Sequence, residues 1–319
     1  MYQIGVDIGG TNIKIGLVDA AYQIVARTVT PFPHGGGENV ANEMARAIDE
    51  MLAAAGVPRT EVESLGIVIP GSIDPTSEIV IDAYNLGFHN EPFRAVCQRV
   101  FPDFPVRMAN DADGAALAEF YCGAFKGCKT AVLMTLGTGL GGGIILNGRL
   151  FRGGRGQGVE FGHMILVDGG EMCTCGNAGC IEAYCAATGL AREGVRELRA
   201  HPESQMATAC GGDESRVDAR LVTDCAKAGD AAANAAFSRY IGHLSSACAS
   251  VCNILDPEVL AIGGGLSAAG DFLFKPLVEQ TEKKCFFKTH GNIVPAQLGN
   301  DAGMVGAAML YAHEQEAKQ

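Results

Sequence analysis

Twice in this chain a strand-like run enters a glycine-rich turn and leaves it as another strand, in VDIGGTNIKIGLV (residues 6–18) and in TLGTGLGGGIIL (residues 135–146). Around the first copy, Ile4, Val6 and Ile8, then Ile13, Ile15 and Leu17, alternate with period two, and Ile24, Val25 and Val29 continue the pattern. The chain should therefore open as an antiparallel meander. In the second copy residues 131–136 read as a strand and 144–146 as its partner, meeting Asn147-Gly148, a favoured type I′ hairpin turn. A strand–turn–strand unit that recurs in this way predicts two related lobes.

Between and after the two copies the period changes to that of helices. Residues 42–55 put Met44, Ile48, Met51, Leu52 and Ala55 on one helical face, with Gly56 and Pro58 as a stop. Residues 65–69 form a buried strand ending at Pro70-Gly71, and 106–108 a short strand ending at Asn110-Asp111, with a helix over 112–120. Helical patterning covers 183–199 and 231–253, a strand at 259–262 runs into Gly263-Gly264-Gly265, and a last helix spans 302–313. No stretch is low in complexity or resembles a long linker.

With 319 residues, 48% of them hydrophobic, the chain can bury the core of one large domain or two packed ones. Its 36 Asp and Glu against 24 Lys and Arg leave a net charge of -12, which opposes a broad nucleic-acid or anionic-membrane surface. The N-terminus carries no basic-then-apolar leader, and the longest uncharged run, residues 130–148, is broken by Gly137, Gly139, Gly141, Gly142 and Gly143. The expectation is a cytoplasmic protein with no membrane segment. Its 12 cysteines then read as reduced thiols, some recruited to a metal.

Four constellations carry chemistry. In Asp7-Ile8-Gly9-Gly10-Thr11-Asn12 the paired glycines allow a tight turn whose N–H groups can meet phosphate oxygens, and Asp7 is the partner for Mg²⁺, through water; an ordinary glycine hairpin is the plain alternative. Gly137-Thr138-Gly139-Leu140-Gly141-Gly142 satisfies G-x-G-x-x-G, but a strand and hairpin follow it where a dinucleotide site needs a helix, so it reads as a phosphate-contacting hairpin. Gly263-Gly264-Gly265 is either a third such loop or a close-packing turn.

The third constellation is His163 with Cys173, Cys175 and Cys180, separated by Thr174, Gly176, Asn177, Ala178 and Gly179. One imidazole and three thiolates match a tetrahedral zinc site, and four protein ligands leave no place for a metal-activated water, so the zinc is expected to be structural. Reduced structural thiols are the alternative. The fourth is a polar set, Asn110, Asp111, Glu160, His163 and Glu182, suited to paired hydrogen bonds with sugar hydroxyls, one carboxylate taking a hydroxyl proton. Taken singly, Glu160 and Glu182 also fit solvated surface acids, and Asp111 fits a helix N-cap.

Taken in order, Asp7-Ile8-Gly9-Gly10-Thr11, Asn110-Asp111, Leu136 to Gly143, Glu160-Phe161-Gly162-His163 and Cys173-x-Cys175-Gly176-x-x-Gly179-Cys180-x-Glu182 resemble the ROK family of repressors and sugar kinases, especially its bacterial glucokinase-like members. The resemblance covers essentially the whole chain. It implies an α/β, actin-like ATPase (ribonuclease H-like) fold with two lobes, each on a mixed sheet, and a cleft between them. Residues 1–117 with 302–319 would form the smaller lobe and 118–301 the larger one with the zinc loop. It implies ATP with Mg²⁺, the phosphates held by Asp7, Gly9, Gly10, Thr11, Asn12 and Lys14 in one loop and Gly137, Thr138, Gly139 and Gly141 in the other, the adenosine near Gly264 and Gly265. Asp111 would be the base for the sugar's primary hydroxyl, with Gly71, Asn110, Glu160, His163 and Glu182 holding the rest of the sugar.

One position departs from the pattern. Family members commonly carry Gly immediately before the Glu of E-x-G-H, and here Gly156-Gln157-Gly158-Val159-Glu160 puts a β-branched residue there. Glucose is the favoured substrate, against N-acetylmannosamine, allose or fructose. A sugar-responsive repressor is the rival, expected to need a DNA-reading head ahead of residue 7. A homodimer without nucleic-acid partners is the family expectation.

Overall fold

The computed structural model describes residues 1–156 and 158–316. Gln157, within the stretch that leads to Glu160, and residues 317–319 of the expected 302–319 segment lie outside the described residues. The chain forms two compact units, one of residues 1–129, 143–159 and 297–319, the other of 130–142 and 160–296.

The first unit is built on the expected meander. Strands β1 (Tyr2–Ile8), β2 (Asn12–Val18) and β3 (Ile24–Pro31) pair antiparallel, and β4 (Val62–Ile69) lies parallel to β1. A small antiparallel sheet follows, β5 (Ser72–Ile73), β6 (Val80–Ala83) and β7 (Phe88–Glu91), and then β8 (Val106–Asn110) joins β4 in parallel. The main sheet thus has the order β3-β2-β1-β4-β8.

Helices α1 (Gly37–Ala55) and α2 (Phe93–Val100) cover one face, where Ile4, Val6 and Ile8 share a core with Met44, Ile48, Phe93 and Cys97. α1 starts five residues before the expected position, and Ala55 is exposed because the helix ends there, Gly56 turning left-handed at φ 68°. On the opposite face lie α3 (Asp111–Cys122) and the C-terminal helix (Ala302–Glu316). A methyl group on Gly66 would overlap the Ala307 carbonyl, and one on Gly306 the Gly114 carbonyl. The absence of side chains there is what brings helix backbones onto the sheet and onto each other.

In the second sheet β9 (Ala131–Leu136), β10 (Leu140–Leu146), β11 (Arg149–Phe151), β12 (Val259–Gly263) and β13 (Asn292–Pro295) take the order β11-β10-β9-β12-β13. The first three strands of each five-stranded sheet are consecutive in the chain and the last two run parallel, so the sequence repeat reappears as a repeat of strand order. Asn147 and Gly148 have φ of 53° and 74°, as a type I′ turn requires.

Six helices complete the second unit: α4 (Ile181–Cys185), α5 (Ala187–Ala200), α6 (Gln205–Cys210), α7 (Ala219–Lys227), α8 (Ala231–Leu255) and α9 (Asp271–Lys284). The expected single helix over 183–199 is two, because Ala186 is extended at ψ 169°. α8 is capped by Asp230, whose Oδ1 accepts the Ala232 N–H at 2.8 Å, and it packs against α5, α7 and α9.

The division differs from the expected cuts after 117 and before 302. Glu119, buried in α3, accepts the Ala124 N–H with Oε2 and the Gln297 and Leu298 N–H groups with Oε1, at 2.7–2.9 Å, which ties both stretches to the first unit. The division also falls inside β10, at Gly143, so residues 143–159 belong with the first unit as well.

Candidate active site

Within the first unit, β8 ends at Asn110, and Asn110, not Asp111, is the N-cap of α3: its Oδ1 accepts the Asp113 N–H at 2.8 Å. Asp111 is the first helical residue and accepts the Ala112 N–H at 2.9 Å through Oδ1. Its side chain reaches solvent yet sits among densely packed protein atoms. That crowding pushes its carboxyl up to about 6, against the Ala112 N–H and with the Asp7 and Asp113 charges adding to the rise. A carboxylate that titrates just below neutrality is suited to taking a proton from an alcohol.

Asp7, half-buried on β1, faces its register partner Lys14 on β2, with Nζ 3.2 Å from Oδ2. Lys14 is thus held by Asp7 and also donates to the Asn300 carbonyl at 3.5 Å. A methyl on Gly303, in the first turn of the C-terminal helix, would come 2.9 Å from the Asp7 carboxyl carbon, so that carboxylate sits at a helix N-terminus.

Gly9 and Gly10 close the β1–β2 turn, the Gly9 N–H donating to the Asn12 carbonyl at 2.9 Å, while the Thr11 carbonyl accepts the Phe32 N–H. Neither glycine has a positive φ. Gly10 is instead kept bare by the Asn85 side chain, 3.3 Å from where its Cβ would be. Gly71 does need its freedom, at φ 101° and against the Asp82 carbonyl.

In the second unit the turn Gly137-Thr138-Gly139-Leu140 is closed by the Gly137 N–H donating to the Gly139 carbonyl at 3.0 Å, and it enters β10, which also contains Gly141, rather than a helix. The turn borders a cavity of about 680 Å³ whose walls include Gly137, Thr138, Ala219, Thr223, Lys227 and Gly265, a volume in the range of nucleotide and cofactor sites. Gly264, at φ 83° and against the Leu136 carbonyl, brings the third glycine loop to the same place.

His163, Cys173, Cys175 and Cys180 converge, with one ligand atom from each within 4.8 Å of all the others. Zn–S bonds of about 2.3 Å at tetrahedral angles put sulfurs about 3.8 Å apart, and the Cys175 and Cys180 sulfurs are 3.6 Å apart, with His163 Nδ1 3.8 Å from Cys173 Sγ. The four groups fit zinc, and no cysteine of the chain is in a disulfide. The Asn177 N–H, first among several donors, draws the exposed Cys175 thiol down to about 7, toward the thiolate a metal needs.

Glu182 lies in the first turn of α4, two residues after Cys180. Its Oε2 accepts the Leu140 N–H at 2.9 Å and its Oε1 the Thr174 hydroxyl at 3.2 Å. It is therefore not a solvated surface acid. Glu160 is exposed and its carbonyl accepts the His163 N–H, while Val159 before it is left-handed at φ 76°, the conformation a β-branched side chain disfavours.

The sequence profile of the ROK family matches residues 3–314. The chain belongs to the ROK family. A relative, a glucokinase from Halalkalibacterium halodurans, is 34% identical over 100% of this chain and 97% of its own length. A solved ROK family glucokinase from Streptomyces griseus, in complex with glucose and AMPPNP, is 31% identical, with a TM-score of 0.79 over 97% of this chain and 99% of that one. The ROK hexokinase of Thermus thermophilus is 32% identical, with a TM-score of 0.85 over 99% of this chain and 100% of that one. The fold is accordingly the actin-like ATPase fold of ROK sugar kinases, as the motifs implied.

Sequence reading of this ROK chain missed the cavity wall supplied by α7, where Ala219, Thr223 and Lys227 carry no motif. It also missed Asp113 as a buried neighbour of Asp111. Its signal was present, since three acids and amides in Asn110-Asp111-Ala112-Asp113 are more than one helix cap needs.

Proposed function

We propose that this chain is an ATP-dependent hexose kinase that transfers the γ-phosphoryl group of ATP to the primary (6-) hydroxyl of glucose or a closely related sugar. The observation that carries the reading is Asp111, a solvent-accessible carboxylate at the start of α3 with its carboxyl raised to about 6, in a chain whose relative binds glucose and an ATP analogue together. Asp111 takes the proton of the hydroxyl as its oxygen attacks phosphorus; the O–P bond to ADP breaks and ADP leaves with the bonding pair. Because the transition state is loose, alignment and charge stabilisation do most of the work.

On the first unit Asn110, Asp111 and Gly71 meet the sugar, and the turn from Gly9 to Asn12 faces phosphate. On the second unit Glu160, His163 and Glu182 hold sugar hydroxyls, Gly137, Thr138 and Gly139 take phosphate oxygens, and the cavity beside Gly264 and Gly265 takes the adenosine. Asp7 offers Mg²⁺ a hard carboxylate oxygen, and the ion supplies charge neutralisation on the phosphates. Zinc would be held by His163, Cys173, Cys175 and Cys180 in a structural role, and the ring nitrogen of His163 that did not bind it would face a sugar hydroxyl. The enzyme works as a homodimer in the cytoplasm without nucleic-acid partners. The net charge of -12 supports the last point, and no helix among the described residues is long and apolar enough to cross a membrane.

The test is ADP release with ATP and Mg²⁺ over a panel of glucose, mannose, fructose, allose, N-acetylglucosamine and N-acetylmannosamine, with Asp111→Ala beside the wild type. Turnover on glucose that disappears in the variant is the expected result. Turnover on another hexose would reassign the substrate, and ADP release unaffected by the variant would remove Asp111 as the base.

A further inference from the structure

The metal knuckle and the glycine turn meet at a single residue, Leu140. Leu140 donates its N–H to Glu182 Oε2 at 2.9 Å, and a methyl on Gly162, the residue before the metal ligand His163, would overlap the Leu140 carbonyl oxygen. Both backbone polar groups of Leu140 therefore face residues that are one or two positions from a candidate metal ligand, Gly162 beside His163 and Glu182 beside Cys180. The other carboxylate oxygen of Glu182 takes the hydroxyl of Thr174, which lies between the ligands Cys173 and Cys175. Gly139 is bare for the same reason, since its Cβ would lie 2.5 Å from Glu182 Oε2. One further bond, from the Ala187 N–H to the Gly137 carbonyl at 2.9 Å, anchors the turn to the start of α5.

We infer that Glu182 is a positioning residue for the nucleotide: it clasps Leu140 to the knuckle, so that metal occupancy sets the backbone of the Gly137–Leu140 turn and with it nucleotide affinity, before any sugar is bound. This rests on the assignment of that turn to the phosphates, proposed above. A glycine turn has little rigidity of its own, and a carboxylate on a helix fixed at both ends supplies it. The knuckle fixes one end of that helix. At the other, the Cys185 carbonyl accepts the hydroxyl of the buried Tyr240 at 2.7 Å.

The experiment uses the full chain loaded with zinc, as wild type, Glu182→Ala and Glu182→Gln. Metal content is measured by mass spectrometry, amide hydrogen exchange is followed in the peptide covering residues 136–142, and the affinity for Mg²⁺-ADP is measured by calorimetry without sugar. Glu182→Ala should speed exchange at Leu140 and weaken ADP about tenfold, as expected when a backbone donor loses a carboxylate partner. Glu182→Gln, whose amide oxygen still accepts the N–H, should restore both. Chelating zinc from the wild type should loosen the same peptide, and doing so in Glu182→Ala should loosen it little further.

Unchanged exchange in 136–142 after chelation of the wild type would overturn the inference without relying on any variant. So would a zinc-loaded Glu182→Ala with wild-type exchange and wild-type ADP affinity, the behaviour of a residue that touches only sugar. A wild type that binds no ADP would instead defeat the kinase reading, while the exchange measurements still decide whether the clasp exists.

Discussion

Arg152 Nε lies 2.8 Å from Asp113 Oδ2, and the same guanidinium donates to the Ser77 hydroxyl at 2.7 Å. Asp113, two residues after Asp111, is buried, and burial pushes its carboxyl up against the pull of Arg152. Arg152→Ala should therefore destabilise the chain by about 1–3 kcal/mol, the cost of leaving a buried polar group without its partner. Chemical denaturation checks the loss. Removing the positive charge also removes the pull that lowers the Asp113 carboxyl, which should then rise further.

Asp111 makes stability and activity run in opposite directions with pH. Its folded carboxyl, at about 6, lies above the ordinary 3.8, so between those values the folded state holds a proton that the unfolded chain releases. That contribution to stability is full below about 4 and is lost as pH rises through about 6. As a base, Asp111 works only when ionised, so turnover should rise with pH to a plateau with its midpoint near 6. Asp111→Asn should lower turnover by roughly 10²–10⁴-fold, the usual contribution of a general base, with ADP affinity kept. A pH profile that is flat from 5 to 8 would rule Asp111 out.

His313 gives the opposite sign for stability. Its Nε2 accepts the Leu150 N–H at 3.0 Å, so Nδ1 carries the proton toward Tyr121 Oη at 3.1 Å, and that hydroxyl donates to Glu316 Oε2 at 2.7 Å. Burial lowers its basicity below the ordinary 6.5, with Arg152 and Arg149 opposing the charged form and Glu316 and Glu314 favouring it. The stability it contributes is present above about 6.5 and lost as pH falls, when protonation of Nε2 breaks the bond to Leu150. The melting temperature of the wild type should drop more steeply from pH 7 to pH 5 than that of His313→Gln.

Zinc removal should lower the melting temperature by several degrees and expose Cys175 to alkylation. Cys175 is on the surface, whereas Cys173 and Cys180 are buried, so the metal-free chain should take up one alkyl group first at Cys175. Zinc should protect it, since a metal-bound thiolate is not free to attack. Peptide mapping reads the site, and equal labelling with and without zinc would argue against a metal in the knuckle.

Val159 is left-handed at φ 76° immediately before Glu160. Val159→Gly should release the strain of a β-branched residue there, about 1–2 kcal/mol, offset in part by the greater freedom glycine gives the unfolded chain. A small rise in melting temperature is expected, and a fall would show that the Val159 side chain is held by packing that outweighs the strain.

Much of this was legible because it is local. Alternating apolar residues set the β1–β2–β3 meander, and the strand at Ala131–Leu136 has the bounds its pattern indicates. The knuckle was legible from ligand spacing, while Val159 stood out only against the glycine that the family resemblance puts at its position. Residue type and neighbours a few positions away settle these features, since the strand period, the hairpin turn and the bite of a metal loop are all short-range geometry. Tertiary structure decided the rest. Glu119 reaches Gln297 and Leu298 across the chain and so moves the unit boundary, Gly66 and Gly306 are bare because the C-terminal helix comes down on them, and the α7 wall of the cavity has no motif. Glu182 reads the same in sequence whether it holds a sugar or a backbone N–H. Only the folded chain sets the Leu140 N–H 2.9 Å from its carboxylate and so adds that backbone partner, because a hydrogen bond depends on distances between residues that the chain order does not encode.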